Sequence, residues 1–162
     1  MKTADTRMNV TFIGVGAIGL PMALHIQRAG YEVTGVDVSE AVATHAIASG
    51  VATVRSLSEA PPAAMVVVMV ATPAQLATLV GGITELPLGQ VWVIMSTVGP
   101  QSVREQGDIL RRLGARVVDA PVTGGVARAK TAELVIFAAG AAEDVEAARP
   151  VLDTMGKVHV TG

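Results

Sequence analysis

Hydrophobic residues along this chain fall into two patterns, short unbroken apolar runs and longer segments with apolar residues at helical spacing. The apolar runs predict strands of a parallel sheet, because such strands are buried on both faces. Seven strands are predicted, over residues 9–16, 31–38, 64–71, 90–97, 115–122, 133–140 and 157–162. Five segments between them predict helices, over residues 17–29, 43–50, 74–86, 100–114 and 142–156.

The order of these elements predicts the fold class. A strand, a helix of about 10–15 residues and another strand form a right-handed βαβ unit, which builds a parallel sheet. Repetition of this unit predicts an α/β protein of the Rossmann type, with a doubly wound, mainly parallel sheet and helices on both faces. The 162 residues are the length of one domain, so we expect residues 1–162 to form a single domain.

Composition narrows the classes of protein and partner. Hydrophobic residues make up 51% of the chain but aromatic residues only 2%, so the core must be aliphatic. The net charge of −2 argues against a nucleic-acid partner, and the absence of cysteine excludes disulfides and thiolate metal sites. The longest apolar run, residues 63–71, is about half of the roughly 20 residues that a membrane-spanning helix needs. The opening "MKTADTRMN" has no apolar signal segment, so we expect a cytoplasmic protein without a membrane partner.

Three glycines between the first strand and the first helix have the spacing G-x-G-x-x-G. In a dinucleotide-binding turn, Gly14 permits the tight turn, Gly16 lets a pyrophosphate approach the backbone, and Gly19 lets the helix pack closely. The pyrophosphate then lies at the helix N-terminus, beside Ala17 and Ile18, where N–H groups are free. The motif therefore predicts a dinucleotide-binding domain, with a plain tight turn as the alternative.

An acidic residue follows at the end of the second predicted strand. Asp37 lies 18 residues after Gly19, the position from which a carboxylate accepts hydrogen bonds from an adenosine ribose. A carboxylate there repels a 2′-phosphate, and the next residues, Val38, Ser39 and Glu40, supply no positive charge. We therefore predict NAD rather than NADP as the cofactor; the alternative is that Asp37 is a solvated turn residue.

A second stretch indicates a family. The segment "DAPVTGGVARAKTAELVIFAAG", Asp119 to Gly140, resembles the substrate-binding signature of the β-hydroxyacid dehydrogenases. These include 3-hydroxyisobutyrate dehydrogenase, the tartronate semialdehyde and glyoxylate reductases, and 6-phosphogluconate dehydrogenase. The "LPMA" after Gly19 and the "STVGP" at Ser96 to Pro100 also match, so the resemblance covers nearly the whole chain and is to the family's N-terminal domain.

The resemblance implies a function and roles for particular residues. It implies an oxidoreductase that transfers hydride between NAD and a small 3-hydroxy acid of the 3-hydroxyisobutyrate, tartronate or threonate type. By resemblance the cofactor is bound by Gly14, Gly16, Gly19 and Asp37, flanked by Val70 and Ala71, and contacted by Gln75 and Thr97. Thr123, Gly124 and Gly125 match the segment that holds the substrate carboxylate, since a hydroxyl and successive N–H groups form an anion-binding concavity.

Three departures from the family pattern qualify this interpretation. Ala132, Glu133 and Leu134 stand where the family has Gly-Thr-Leu, and "VATPAQL" stands where it often has Leu-Pro. The family's catalytic lysine lies on the first helix of an all-helical C-terminal domain, which we expect beyond Gly162. We therefore predict no catalytic residue and no turnover in this chain, and a homo-oligomer for the full-length protein.

General acids or bases within the chain are weak candidates. Lys130 follows the substrate segment, but "ARAK" at residues 127–130 is interpreted as a solvated loop, and Lys157 as a surface residue. His25, His45 and His159 lie outside the motifs, and no metal-ligand spacing is present. The alternative function is a stand-alone nucleotide-binding or sensing module without catalysis. A methyltransferase would not explain "DAPVTGG".

Overall fold

Six parallel strands form the central sheet of the computed structural model, which describes residues 8–162. The spatial order is β3-β2-β1-β4-β5-β6, so the chain reverses its direction of winding between β1 and β4. This doubly wound parallel sheet confirms the predicted Rossmann-type fold. The strands are β1 (Asn9–Ile13), β2 (Glu32–Val36), β3 (Thr53–Val54), β4 (Met65–Val68), β5 (Val91–Ile94) and β6 (Arg116–Asp119).

Helices cover both faces of this sheet, as predicted. They are α1 (Gly19–Arg28), α2 (Glu40–Ala48), α3 (Pro73–Gly81), α4 (Pro100–Arg112), α5 (Gly125–Lys130) and α6 (Ala142–Leu152). Buried residues of α1, α2, α5 and α6 join one apolar cluster, and those of α3 and α4 join a second cluster around Trp92. Within residues 8–162, none of the helices is both long and apolar enough to cross a lipid bilayer.

A second sheet of three strands lies beside the end of β6. In it, β7 (Val122–Thr123) is antiparallel to β8 (Leu134–Ala138), and β9 (Gly156–Val160) is parallel to β8. The two sheets are joined where Asp119 and Ala139 exchange backbone hydrogen bonds of 2.9 and 2.8 Å. The single strand predicted over residues 115–122 is divided in the structure between β6 and β7. The hydrophobic pattern also did not predict β3. Strands of two residues are too short to produce a hydrophobic period.

The structure corrects the bounds of two predicted helices and the assignment of one predicted loop. Helix α2 begins before the predicted residue 43, because the Ser39 hydroxyl accepts a hydrogen bond from the Val42 N–H at 3.3 Å and caps the helix. Helix α3 ends at Gly81 rather than at residue 86. The prediction of a solvated loop at residues 127–130 is wrong, since these residues form the end of α5, with Ala129 buried against the core.

The turn from α5 into β8 places a non-glycine residue in a left-handed conformation. Ala132, which stands where the resembled family has glycine, has φ 58°. The turn still closes, because the Glu133 N–H donates to the Arg128 carbonyl at 2.9 Å. The missing glycine therefore leaves the turn intact, and its consequence is backbone strain at Ala132.

Ala132→Gly is expected to stabilise the protein. The left-handed conformation costs an alanine about 1–2 kcal/mol, and the greater freedom of glycine in the unfolded chain offsets part of this. A net gain of about 1 kcal/mol is expected in the free energy of unfolding measured by urea denaturation. Ala127→Gly, in the interior of α5, is the matched control and should destabilise the protein. A destabilised Ala132→Gly variant would contradict the assignment of strain.

Candidate functional site

The three glycines after β1 have three different environments. Gly14 has φ +92°, and a Cβ added there would lie 2.3 Å from the Met69 carbonyl oxygen. A Cβ at Gly19 would lie 1.8 Å from the Gly14 carbonyl oxygen, so α1 packs directly on the turn. A Cβ at Gly16 would meet no atom within 4 Å. The fold itself therefore requires Gly14 and Gly19, whereas the space beside Gly16 is left open.

The beginning of α1 suits an anionic group in that open space. Within the described chain, no side chain caps the helix, and its first turn contains no acidic residue. The first N–H groups of a helix have no partner inside the helix and carry its positive dipole end. Ala17 is exposed and Ile18 is half-buried, so both backbones border this space. The geometry fits the pyrophosphate of a dinucleotide.

Asp37 ties the end of β2 to the glycine turn. Its Oδ2 accepts a hydrogen bond from the Val15 N–H at 3.2 Å, and its Oδ1 accepts one from the Ser39 N–H at 3.0 Å. The side chain is half-buried at the edge of the sheet. Each carboxylate oxygen has a second lone pair, so Asp37 can also accept hydrogen bonds from a ribose.

A buried hydroxyl orders the loop after β4. The Val70 N–H donates to Ser96 Oγ at 2.8 Å, and the Ser96 hydroxyl lies 3.4 Å from the Val68 carbonyl oxygen. Ser96 is buried, while its neighbour Thr97 is exposed at the sheet edge. Sequence reasoning selected Thr97 from "STVGP" and missed Ser96, since a contact between the ends of β4 and β5 gives no sequence signal.

The Gln75 side chain caps the first turn of α3. Its Oε1 accepts hydrogen bonds from the Ala71 N–H at 2.8 Å and the Thr72 N–H at 3.1 Å. The Thr72 hydroxyl accepts from the Gln75 N–H, which completes a capping box. Because the carbonyl oxygen is occupied, Gln75 can offer a cofactor only its Nε2 amide.

The predicted substrate segment lies where β7 leads into α5. Thr123 ends the strand and is exposed. Gly124 has φ +129° and Gly125 has φ +65°, conformations that L side chains rarely adopt. A Cβ at Gly124 would also lie 2.7 Å from Arg128 Cδ, whereas a Cβ at Gly125 would meet nothing within 4 Å. Exposed Thr123 beside the open backbone of Gly125 is compatible with the predicted anion-binding concavity, which successive N–H groups would form.

Backbone contacts connect these groups along one edge of the sheet. The Gly14 N–H donates to the Val36 carbonyl at 2.9 Å, next to Asp37. On the other side of the glycine turn lies Met69, which precedes Val70. The Ala120 N–H donates to the Ile94 carbonyl at 2.8 Å and so joins the end of β6 to that of β5. The carboxyl ends of parallel strands on either side of a switch point form the ligand crevice of doubly wound folds.

Three titratable residues are engaged in contacts within the fold or are partly buried. His25 Nε2 lies 2.9 Å from the Lys130 carbonyl oxygen, a contact that joins α1 to α5. The His159 ring stacks on Phe137, with their centroids 5.8 Å apart. Burial raises the pKa of Asp119, at the end of β6, above its usual value of 3.8. In residues 8–162, no cluster of three or more His, Asp or Glu side chains could hold a metal ion.

The chain matches a known protein family and is similar to two dehydrogenases. The sequence model of the family described as the NAD binding domain of 6-phosphogluconate dehydrogenase matches residues 9–162. NAD-dependent L-serine dehydrogenase of Pseudomonas aeruginosa is 31% identical over 91% of this chain and 51% of its own length. 2-(Hydroxymethyl)glutarate dehydrogenase of Eubacterium barkeri is 31% identical over 94% of this chain and 52% of its own length.

A solved dehydrogenase structure is also similar to this chain. The structure of Mycobacterium tuberculosis 3-hydroxyisobutyrate dehydrogenase with L-serine superposes with a TM-score of 0.87 and 30% sequence identity. The superposition covers 96% of this chain and 54% of that one. The chain thus spans about half the length of each of these relatives.

Proposed function

The chain belongs to the family of the NAD-binding domain of 6-phosphogluconate dehydrogenase, and we propose on this premise that it is the NAD-binding part of a hydroxyacid oxidoreductase. The observation that carries the proposal is the open position at Gly16, next to two glycines that the fold requires. In a turn without a ligand, Gly16 could be replaced by a residue with a side chain. NAD is favoured over NADP because Asp37 places a carboxylate at the ribose end of the crevice.

The proposed substrate is a small acid with a hydroxyl on its β-carbon. The names of the three relatives contain L-serine, 3-hydroxyisobutyrate and 2-(hydroxymethyl)glutarate, which share a carboxylate and a hydroxyl on the carbon β to it. The Thr123 hydroxyl and the N–H groups of Gly124 and Gly125 would bind that carboxylate. Oligomerisation of the full-length protein remains a prediction.

The chain's own residues would bind and orient the reactants. Bound NAD would supply the hydride acceptor. Gly14, Gly16 and Gly19 would hold the pyrophosphate and Asp37 the ribose, while Val70 and Thr97 would border the nicotinamide end. The hydrogen bond from Val70 to Ser96 fixes the backbone of that end before a ligand binds. Positioning of the two reactants is thus the contribution that this part of the protein makes.

Asp37→Ala is expected to weaken NADH binding by about 1–3 kcal/mol, because hydrogen bonds from the ribose to a charged acceptor are lost. Isothermal titration of the 162-residue chain with NADH and NADPH measures this, and the unmodified chain should bind NADH more tightly. Asp37→Asn removes the negative charge but keeps one oxygen that can accept the hydrogen bond from the Val15 N–H. It therefore distinguishes the effect of the charge from the effect of that contact. Asp108→Ala, on the exposed surface of α4, is the control. A folded chain that does not bind NADH would overturn the proposed function.

A further inference from the structure

A positively charged side chain reaches the loop after β2 from the neighbouring strand. Arg55 directly follows β3, and its Nε donates a hydrogen bond of 3.1 Å to the Val38 carbonyl oxygen, to which its Nη2 also donates. The strands hold this contact in place, because the Asp37 N–H donates to the Val54 carbonyl at 3.0 Å. The Arg55 guanidinium is therefore fixed beside the residue that follows Asp37.

This position lies at the ribose end of the crevice. NADP differs from NAD by a phosphate on the 2′-oxygen of the ribose that Asp37 would bind, and an arginine nearby accommodates that phosphate. The three residues after Asp37 contain no positive charge, and Val38 is 79% exposed. Arg55 supplies the missing charge through the pairing of β2 with β3 rather than through adjacency in sequence.

The Arg55 side chain retains donors for a ligand. A guanidinium has five N–H groups, and the bonds to the Val38 carbonyl involve only its Nε and Nη2. Glu59 accepts a hydrogen bond from the Arg55 backbone N–H at 3.1 Å, not from its side chain. No carboxylate in residues 8–162 lies within ion-pair distance of this guanidinium. The charge is thus held in position without being neutralised by a salt bridge in this part of the chain.

We propose that Arg55 is a specificity-determining residue that gives this site a measurable affinity for the 2′-phosphate of NADP. The inference rests on the proposed function. Asp37 disfavours the phosphate and Arg55 favours it, so the preference for NAD is set by the balance of the two side chains. Arg55 should therefore affect NADPH binding selectively.

The test compares the affinities of NADH and NADPH in matched variants of the 162-residue chain. Arg55→Met keeps an unbranched stem and removes the charge. It should weaken NADPH binding about tenfold, the usual effect of losing a charge-assisted bond to phosphate, and leave NADH binding within about twofold. Arg55→Lys should restore part of the NADPH affinity. Arg112→Met, at the end of α4, should change neither affinity.

The possible outcomes separate this inference from the proposed function. If Arg55→Met weakened the binding of NADH and NADPH equally, Arg55 would contact the adenosine moiety that both share, and the inference would be overturned. An unchanged ratio of the two affinities would also overturn it, as would an unmodified chain that binds NADH but not NADPH. A chain that binds neither ligand would overturn the proposed function and the inference together. Arg55→Lys keeps the ratio measurable should Arg55→Met fail to fold.

Discussion

Gly16→Ala is expected to remove most of the NADH affinity while the chain stays folded. The added Cβ meets no protein atom within 4 Å, so stability should change by less than about 1 kcal/mol. A ligand pyrophosphate lying against the Gly16 backbone would meet that Cβ directly. Loss of its charged hydrogen bonds would cost about 1.5–3 kcal/mol, a decrease in affinity of roughly 10- to 150-fold.

Gly19→Ala is the matched variant with the opposite expected effect. Its Cβ would lie 1.8 Å from the Gly14 carbonyl oxygen and 3.1 Å from Phe12 Cε1, and neither the turn nor the buried ring can move away at low cost. We expect a destabilisation of about 3 kcal/mol or more. The two substitutions are chemically identical and three residues apart.

Thermal unfolding and NADH titration on both variants distinguish the roles of these glycines. The expected result is a normal unfolding temperature with weak binding for Gly16→Ala, and a lowered unfolding temperature for Gly19→Ala. Normal NADH affinity in Gly16→Ala would contradict the proposed pyrophosphate position. An unfolding temperature of Gly16→Ala lowered as far as that of Gly19→Ala would indicate that the motif is only a tight turn.

The glycine turn and Asp37 could be predicted from the sequence because their signals are local. A strand, three spaced glycines, a helix and an acid occur in one continuous stretch. Their spacing along the chain is therefore enough to predict their relative positions in the fold. Thr123, by contrast, is predicted only through the family resemblance of "DAPVTGG". The structure places each of these residues at the edge of a sheet, although their contacts with ligands remain predictions.

Ser96 and Arg55 could not be predicted, because their contacts depend on how strands pair. Ser96 reaches the Val70 N–H across two neighbouring strands, 26 residues away in sequence. Arg55 reaches the Val38 carbonyl only because β3, a strand of two residues, pairs with β2. No positive charge directly follows Asp37 in the sequence, and the fold supplies one from Arg55, 17 residues after Val38.

Residues 1–162 are expected to bind NADH but not to oxidise a 3-hydroxy acid at a measurable rate. A general acid or base must come within hydrogen-bond reach of the substrate hydroxyl and contributes about 10²- to 10⁴-fold to the rate. Lys130 lies at the opposite end of α5 from Thr123, five residues after its first residue and so about 7 Å along the helix. His25 Nε2 is within hydrogen-bond distance of the Lys130 carbonyl. Lys130 is therefore distant from Thr123 along the helix, and the His25 ring contacts the end of α5.

Among the candidates for a general acid or base, Lys157 is the one that the strand register relates to Thr123. Thr123 pairs with Val135, and Val135 pairs with Lys157, so the three residues point to one face of the second sheet. Two strand spacings, about 10 Å between backbones, separate Lys157 from Thr123, so the two side chains do not meet without a substrate between them. The acid or base is predicted to lie beyond Gly162, and Lys157 is the residue within the chain against which that prediction is tested.

The decisive measurement is NADH formation by the 162-residue chain and by the full-length protein across a panel of three- and four-carbon 3-hydroxy acids. The full-length protein should turn over at least one of them, and the shorter chain should be slower by about 10²-fold or more, since the acid or base and the rest of the enclosing pocket are predicted to lie beyond Gly162. Comparable rates would place the acid or base within residues 1–162. In that case Lys157→Met and Lys130→Met would identify it, with Lys157 tested first because it shares a face with Thr123.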